Sequence, residues 1–377
     1  MSGAAAGSSW FQRFLLPGFA LKAVIIGGGY ATGRELAEYF LASGPWGGLF
    51  GMIFAALLWS LIAAVTFAYA RLVQAYDYRA FFVALLGPGW IAFEAAYVIF
   101  VVLILAVFGA TAGAIGHALI GMPAFVGTLL LAIGIIVITA LGTGAVERMF
   151  KYVSLLLYAV YALFLLLGLW TFGDRIAVGF STTVPTTGWL LGGATYASYN
   201  IVGAVVILPV LRHLTSQRDA VIAGLIAGPL TMLPAILFFI CMVAFYPAIG
   251  VETLPSDFLL RQLDIPAFHW LFQLMIFGAL LESGAGAVHA INERIAGVVQ
   301  ARRGHDLGPG ARALIGILLL TLCMAVANRI GLIDLIASGY RFLAWLFLLV
   351  FVAPLLTIGL ARLLRRPSTP LAGEMLS

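Results

Sequence analysis

The sequence predicts an all-α integral membrane protein of ten transmembrane helices, arranged as two inverted five-helix repeats with spans 1 and 6 broken near the bilayer midplane. Three observations lead there. The 377-residue chain is 63% hydrophobic and 9% charged, with a mean hydropathy of +1.11, which excludes a water-soluble domain before any motif is read. At about 20 residues per crossing, apolar runs recur from end to end, at 14–43, 46–74, 89–117, 122–142, 145–173, 188–213, 219–246, 267–299, 311–328 and 333–364. The first and sixth runs are interrupted in matching positions, Gly18, Phe19 and Gly33 in one answering Gly188, Trp189 and Gly203 in the other. Chance similarity of apolar segments is the alternative. An odd number of spans per repeat reverses the second repeat in the membrane, and paired interruptions of this kind point to a solute site.

The chain reads as a single domain over 1–377, with repeats at 14–173 and 188–364 and short tails at 1–13 and 365–377. Gly87 to Gly89, Pro123, Pro247 and Gly308 to Gly310 punctuate the connections. With both termini in the cytoplasm, most of the lysines and arginines fall on the inner half, only Arg175, Arg261 and Arg329 fall outside, and Arg34 and Arg341 lie within the membrane. That asymmetry sets the orientation, and it accounts for the net charge of +5 without any nucleic acid. A bacterial cytoplasmic membrane is the expected location and the lipid bilayer the expected partner. Cys241 and Cys323 fall inside apolar spans and read as packing residues.

Span 1 carries the chemistry least compatible with lipid. Gly27, Gly28 and Gly29 cost roughly 1 kcal/mol each against alanine in a helix interior. Arg34, Glu35 and Glu38 would each add about 2.5–3.5 kcal/mol at the bilayer centre. A segment of this kind faces a protein cavity, where freed backbone groups meet water, an ion or a solute. A glycine packing face would explain the glycines but not the charges. In span 6, Ser198, Tyr199 and Asn200 interrupt the run GGATYASYNIVG, and Pro209 bends the second half of the span.

Span 8 stacks Glu282, Gly286, His289 and Glu293 on one helical face, suited to relaying protons or lining an inner route, with a solvated helix end as the bland reading for Glu293. Span 5 aligns Lys151, Ser154, Tyr158 and Tyr161. The lysine either snorkels to the headgroups or, if buried, titrates and couples transport. Span 10 aligns Asp334, Ser338 and Arg341, and the arginine needs an intramembrane acid among Glu35, Glu38 and Glu282. Glu94 and His117 read as a structural partner and an interfacial residue. No enzyme signature stands out: His289 and Glu293 lack a third metal ligand at ligand spacing, and the glycine run lacks the strand and Lys-Ser pair of a phosphate loop. No metal or cofactor is expected.

GGGYATGREL in span 1, TYASYNIVG in span 6 and the ten-span order resemble the YkvI family of bacterial membrane proteins, within the amino acid-polyamine-organocation superfamily. The resemblance covers nearly the whole chain. It implies a leucine-transporter-like fold in which helices 1, 2, 6 and 7 rock against 3, 4, 8 and 9. It also implies an outer gate at Arg34; the residues themselves offer Glu35, Glu38, Asp334 and Arg341 as the charges around it, with Asp334, at the outer end of span 10, the first choice of partner and Glu38, four residues on, the local alternative. Sodium-coupled members use paired hydroxyls in helix 8, where this chain offers Ser283 alone. Proton-coupled members carry a helix 5 lysine, which Lys151 matches. The expected activity is secondary transport of an amino acid or related amine, with protons favoured over sodium and Lys151, Glu282, Ser283 and His289 as coupling residues. A substrate carboxylate would meet the N–H groups of Gly27, Gly28, Gly29 and Tyr30. Its amine would meet carbonyls freed around Ser198, Tyr199 and Asn200, in a pocket shaped by Tyr196 and Tyr199. A sodium-coupled cation carrier and a sensor that binds without transporting remain as alternatives.

Overall fold

The computed structural model describes residues 8–25, 27–140, 143–303 and 307–365. Every regular element among them is helical. In order they are α1 (Leu16–Ile25), α2 (Gly28–Ala31), α3 (Arg34–Tyr39), α4 (Gly44–Leu72), α5 (Tyr78–Leu86), α6 (Trp90–Ile120), α7 (Ala124–Ala140) and α8 (Thr143–Ser181). Then come α9 (Trp189–Asn200), α10 (Gly203–Val206), α11 (Gln217–Val243), α12 (Pro255–Leu263), α13 (Pro266–Arg303), α14 (Pro309–Ile330) and a last helical run α15 (Leu332–Leu364). Among the described residues, seven runs are long and apolar enough to cross a membrane. The chain is a membrane protein with many apolar helices.

Two groups of helices form the body. In the first, α11 packs along α4 and α1, and α4 packs along α9. Small residues permit the closest approach, since a Cβ on Gly224 would lie 2.3 Å from the Ala64 Cα and one on Gly228 2.2 Å from the Ala56 carbonyl oxygen. Where lipid surrounds the helices, such backbone proximity supplies the dispersion contact that burial from water supplies elsewhere. In the second group, α6, α7, α13 and α14 pack on one another. There a Cβ on Gly113 or Gly127 would stand 2.5 Å from the Ala124 or Ala112 carbonyl oxygen, too close for any side chain.

Both interruptions differ in detail from the expected ones. Helix α1 stops at Ile25, Gly27 lies outside any helix, and Gly28 and Gly29 are already in the single turn α2. The chain reopens at Thr32 and Gly33 because Gly33 has φ 78°, a left-handed conformation that suits glycine. The Thr32 carbonyl accepts a 2.8 Å hydrogen bond from the Ser256 N–H of α12. Helix α9 continues through Ser198, Tyr199 and Asn200, and the turn comes at Ile201 and Val202. The Ser198 hydroxyl donates to the Ala194 carbonyl at 2.7 Å and the Asn200 amide to the Tyr196 carbonyl at 3.2 Å, so these side chains satisfy their own helix. Beyond α10 a tight turn at Leu208–His213 begins around Pro209.

Candidate functional site

Glu35 is the second residue of α3, and its side chain turns back over the break. The residue is 4% exposed, and Oε2 accepts a 2.5 Å hydrogen bond from the Tyr199 hydroxyl of α9. Gly29 makes this possible. A Cβ there would lie 2.2 Å from Glu35 Oε1, so any side chain at position 29 displaces the carboxylate. Gly27 admits the Phe108 ring, 3.2 Å from where its own Cβ would stand. Among the described residues Glu35 takes part in no ion pair.

Aromatic rings surround this carboxylate. Tyr199 stacks obliquely on Tyr340 of α15 with centroids 4.5 Å apart and lies 5.8 Å from Tyr39 and 5.7 Å from Tyr196. Tyr196 is fully buried between Phe40 and Trp59, and Trp59 Nε1 donates to the Ala197 carbonyl at 3.0 Å, just before the α9 turn. Tyr30 is buried in α2, 6.5 Å from the Tyr161 ring of α8. A cavity lined by Gly27, Glu35, Asn200 and Tyr340 on one side, and by Phe100 and Phe108 of α6 on the other, has about 30 Å³ of free space. That is room for roughly one water molecule, so a larger solute enters only after the walls part.

The expected gate is built differently. Arg34 Nη1 donates to the carbonyls of Gly250 and Glu252, each at 2.9 Å, and Nη2 pairs with Glu38 at 3.3 Å. The local i,i+4 partner and the loop before α12 hold the arginine, while Asp334 lies exposed with no ion pair among the described residues. Arg341 does not reach a buried acid either. It lines an open cleft at the α12 end of the bundle together with Glu38, Tyr39 and Thr195. The reason is a wide π turn at Leu335–Gly339, which shifts the helical phase between Asp334 and Arg341. Glu35, expected with the gate charges, belongs to the centre.

At the amino-terminal end, Arg13 makes two hydrogen bonds to Asp219 at the start of α11, at 2.9 and 2.8 Å. The Thr215 backbone N–H and hydroxyl complete the carboxylate's shell at 3.0 and 2.5 Å. The coupling residues expected on α13, namely Glu282, Ser283 and His289, are half-buried and do not line the cavity. The Lys151 side chain lies outside the described residues. Lys22 of α1 sits over the Tyr158 ring of α8 at 4.2 Å.

No family model matches the chain. It is 25% identical over 290 residues to the uncharacterised membrane protein YkvI of Bacillus subtilis (strain 168), covering 74% of this chain and 79% of that one. Among solved structures it is similar to MhsT in complex with L-phenylalanine, with a TM-score of 0.59 at 16% identity over 94% of this chain and 97% of that chain. A mutant of the Eremococcus coleocola manganese transporter matches with a TM-score of 0.52 at 14% identity, over 92% and 78% of the two chains. This chain is a YkvI homologue with a leucine-transporter-type fold. At these identities the solved structures speak for the fold alone.

Sequence reasoning missed Phe100, Phe108, Tyr340 and Trp59. The two phenylalanines carry no signal in a wholly apolar span. Tyr340, a hydroxyl next to Arg341 inside the last apolar run, was a readable one. Arg13 and Asp219 were invisible as a pair because they stand 206 residues apart.

Proposed function

We propose that the chain is a secondary active transporter, not an enzyme, carrying a small amine-bearing organic solute, an amino acid or related amine, by proton-coupled alternating access in a bacterial cytoplasmic membrane. The observation that carries this reading is the Tyr199–Glu35 hydrogen bond, which joins the two interrupted helices beside a small cavity that Glu35 lines. Buried ionisable groups among apolar helices mark solute and ion pathways. Counted with α1–α3 apart from α4, which the first long run joins to α3, and with α7 and α9–α10 added to the other six runs, the chain has ten crossings, two repeats of five with both termini cytoplasmic. The grouping of α1, α4, α9 and α11 apart from α6, α7, α13 and α14 supplies two bodies that can rock about the site. In that motion the Arg34 contacts close the α12 side and the Arg13–Asp219 pair closes the other.

Uptake into proteoliposomes tests the reading. A panel of labelled amino acids and amines should include one that accumulates above equilibrium when a pH gradient is imposed, at fixed sodium. Binding without accumulation marks a sensor, and a sodium requirement at fixed pH overturns proton coupling.

A further inference from the structure

Among the described residues Glu35 has no counter-charge, and every neighbouring element explains why. From α9 Tyr199 hydrogen-bonds it, and Tyr196, Tyr30 of α2, Tyr340 of α15 and Tyr39 of its own helix lie near enough to feel its charge, all of them phenols. From α6 it meets Phe100, Ile104 and Phe108, which do not titrate. The charges nearby are engaged or directed elsewhere. Arg34 binds the Gly250 and Glu252 carbonyls and Glu38, Glu252 pairs with Arg261 at 3.5 Å, and Arg341 lines the cleft at the α12 end. A bare carboxylate in such a place is strongly disfavoured, so the helices can move past it only when something neutralises it.

We propose that Glu35 is held alternately by a proton and by the cationic head of the solute, so that the protein exchanges protons for an organic cation. The inference rests on the transport reading above and names its substrate class and coupling group. The exchange balances. The protonated carboxyl meets an organic ammonium, the carboxylate pairs with the cation, and one proton leaves to the solution that the site faces. On the other side the steps reverse. The closed cavity, with about 30 Å³ of free space, is too small for an organic ammonium, so the cation reaches the carboxylate only after the walls part. Phe100, Phe108 and Tyr340 line the cavity, and aromatic rings can hold an organic cation against their faces. A hard divalent ion would want six or more oxygen ligands, and among the described residues no group of three or more His, Cys, Asp or Glu is placed to hold a metal.

Two measurements decide the matter. In weakly buffered detergent solution, methylammonium or tetramethylammonium should release close to one proton per bound cation from the wild type. The Glu35→Gln variant should release none, and Tyr199→Phe, which keeps the carboxylate, should release protons with affinity changed several-fold. In proteoliposomes, tetramethylammonium carries a permanent charge and does not follow a pH gradient passively. An acid interior should accumulate it about tenfold per pH unit at equilibrium, the ratio set by one-for-one exchange, with no response to a clamped membrane potential. Proton release without accumulation removes the transport reading and keeps the site. Accumulation driven by the opposite gradient, or undiminished in Glu35→Gln, overturns the exchange and keeps transport. Absence of both release and accumulation with both probes overturns the proposal. If Glu35→Gln does not fold, the gradient direction in the wild type decides it alone.

Discussion

The two arginines at the ends of the broken first helix use opposite chemistry. Arg34, at the α12 end, has a side chain 5% exposed and binds two backbone carbonyls besides Glu38. Arg13, at the amino-terminal end, has a side chain 32% exposed and binds one carboxylate through two nitrogens. A desolvated guanidinium on fixed carbonyls resists salt and leaves unsatisfied acceptors when it departs. An ion pair whose arginine is partly exposed is screened on that side, and the guanidinium can exchange its partner for water. The difference teaches that one end of the helix is held by a single carboxylate and the other by backbone carbonyls as well, so the two ends should respond differently to salt and to loss of the arginine.

The largest expected effect is at the buried end. Arg34→Ala leaves the Gly250 and Glu252 carbonyls and Glu38 without their donor, at a cost of about 1–3 kcal/mol for each buried group left unmet. A cysteine placed at Ala37, which lines the cleft beside Arg34, should then react at least about tenfold faster with a membrane-impermeant maleimide, a change of about 1.4 kcal/mol. The native Cys241 and Cys323 are buried and should stay silent. An unchanged rate would mean that Arg34 does not hold this end shut.

Arg13→Ala should act more mildly. Hydrogen exchange over Trp10 to Leu16 should quicken a few-fold, and moving the wild type from low to high salt should reproduce part of the change because the Arg13 side chain is 32% exposed. The same salt step should leave Ala37→Cys labelling untouched. Equal salt sensitivity at both ends would erase the contrast.

The smallest effect discriminates partners. In double-mutant cycles on the labelling rate, Arg34→Ala with Asp334→Ala should be additive within about 0.3–0.5 kcal/mol, whereas Arg34→Ala with Glu38→Ala should exceed that scatter. Coupling to Asp334 would restore the cross-helix gate that the sequence suggested.

Much of this was legible in the residues. Three glycines followed by ionisable side chains, and the matching frame at Gly188, pointed to the two interrupted spans, but the structure reopens span 1 at Thr32 and Gly33 and turns span 6 at Ile201 and Val202 rather than at Ser198 to Asn200. The helical angle between positions also separates Glu35 from its neighbours. Arg34 and Glu38, four apart, share a face, whereas Glu35 is rotated about 100° from Arg34 and points elsewhere. Reading the three as one gate overlooked that rotation. The π turn at Leu335–Gly339 was not legible, since LIASG carries no proline or other marker of an inserted residue, and the Asp334–Arg341 face failed with it. Nor could sequence show that Gly29 is empty to make room for a carboxylate six positions on, because that requires the left-handed turn at Gly33 to fold α3 back over α2.

The central claim is that Gly29, Glu35 and Tyr199 form one binding centre at the junction of the two interrupted helices. Thermal unfolding of wild type and Gly29→Ala across a panel of amino acids and organic ammonium ions tests it most directly. A methyl group at position 29 would stand 2.2 Å from Glu35 Oε1 and must push the carboxylate off the Tyr199 hydroxyl. The wild type should be stabilised by several degrees by at least one of these compounds, while Gly29→Ala should keep its melting temperature within a few degrees and show no response to that compound. A solute response in Gly29→Ala as large as in the wild type would contradict the claim and place binding elsewhere in the molecule.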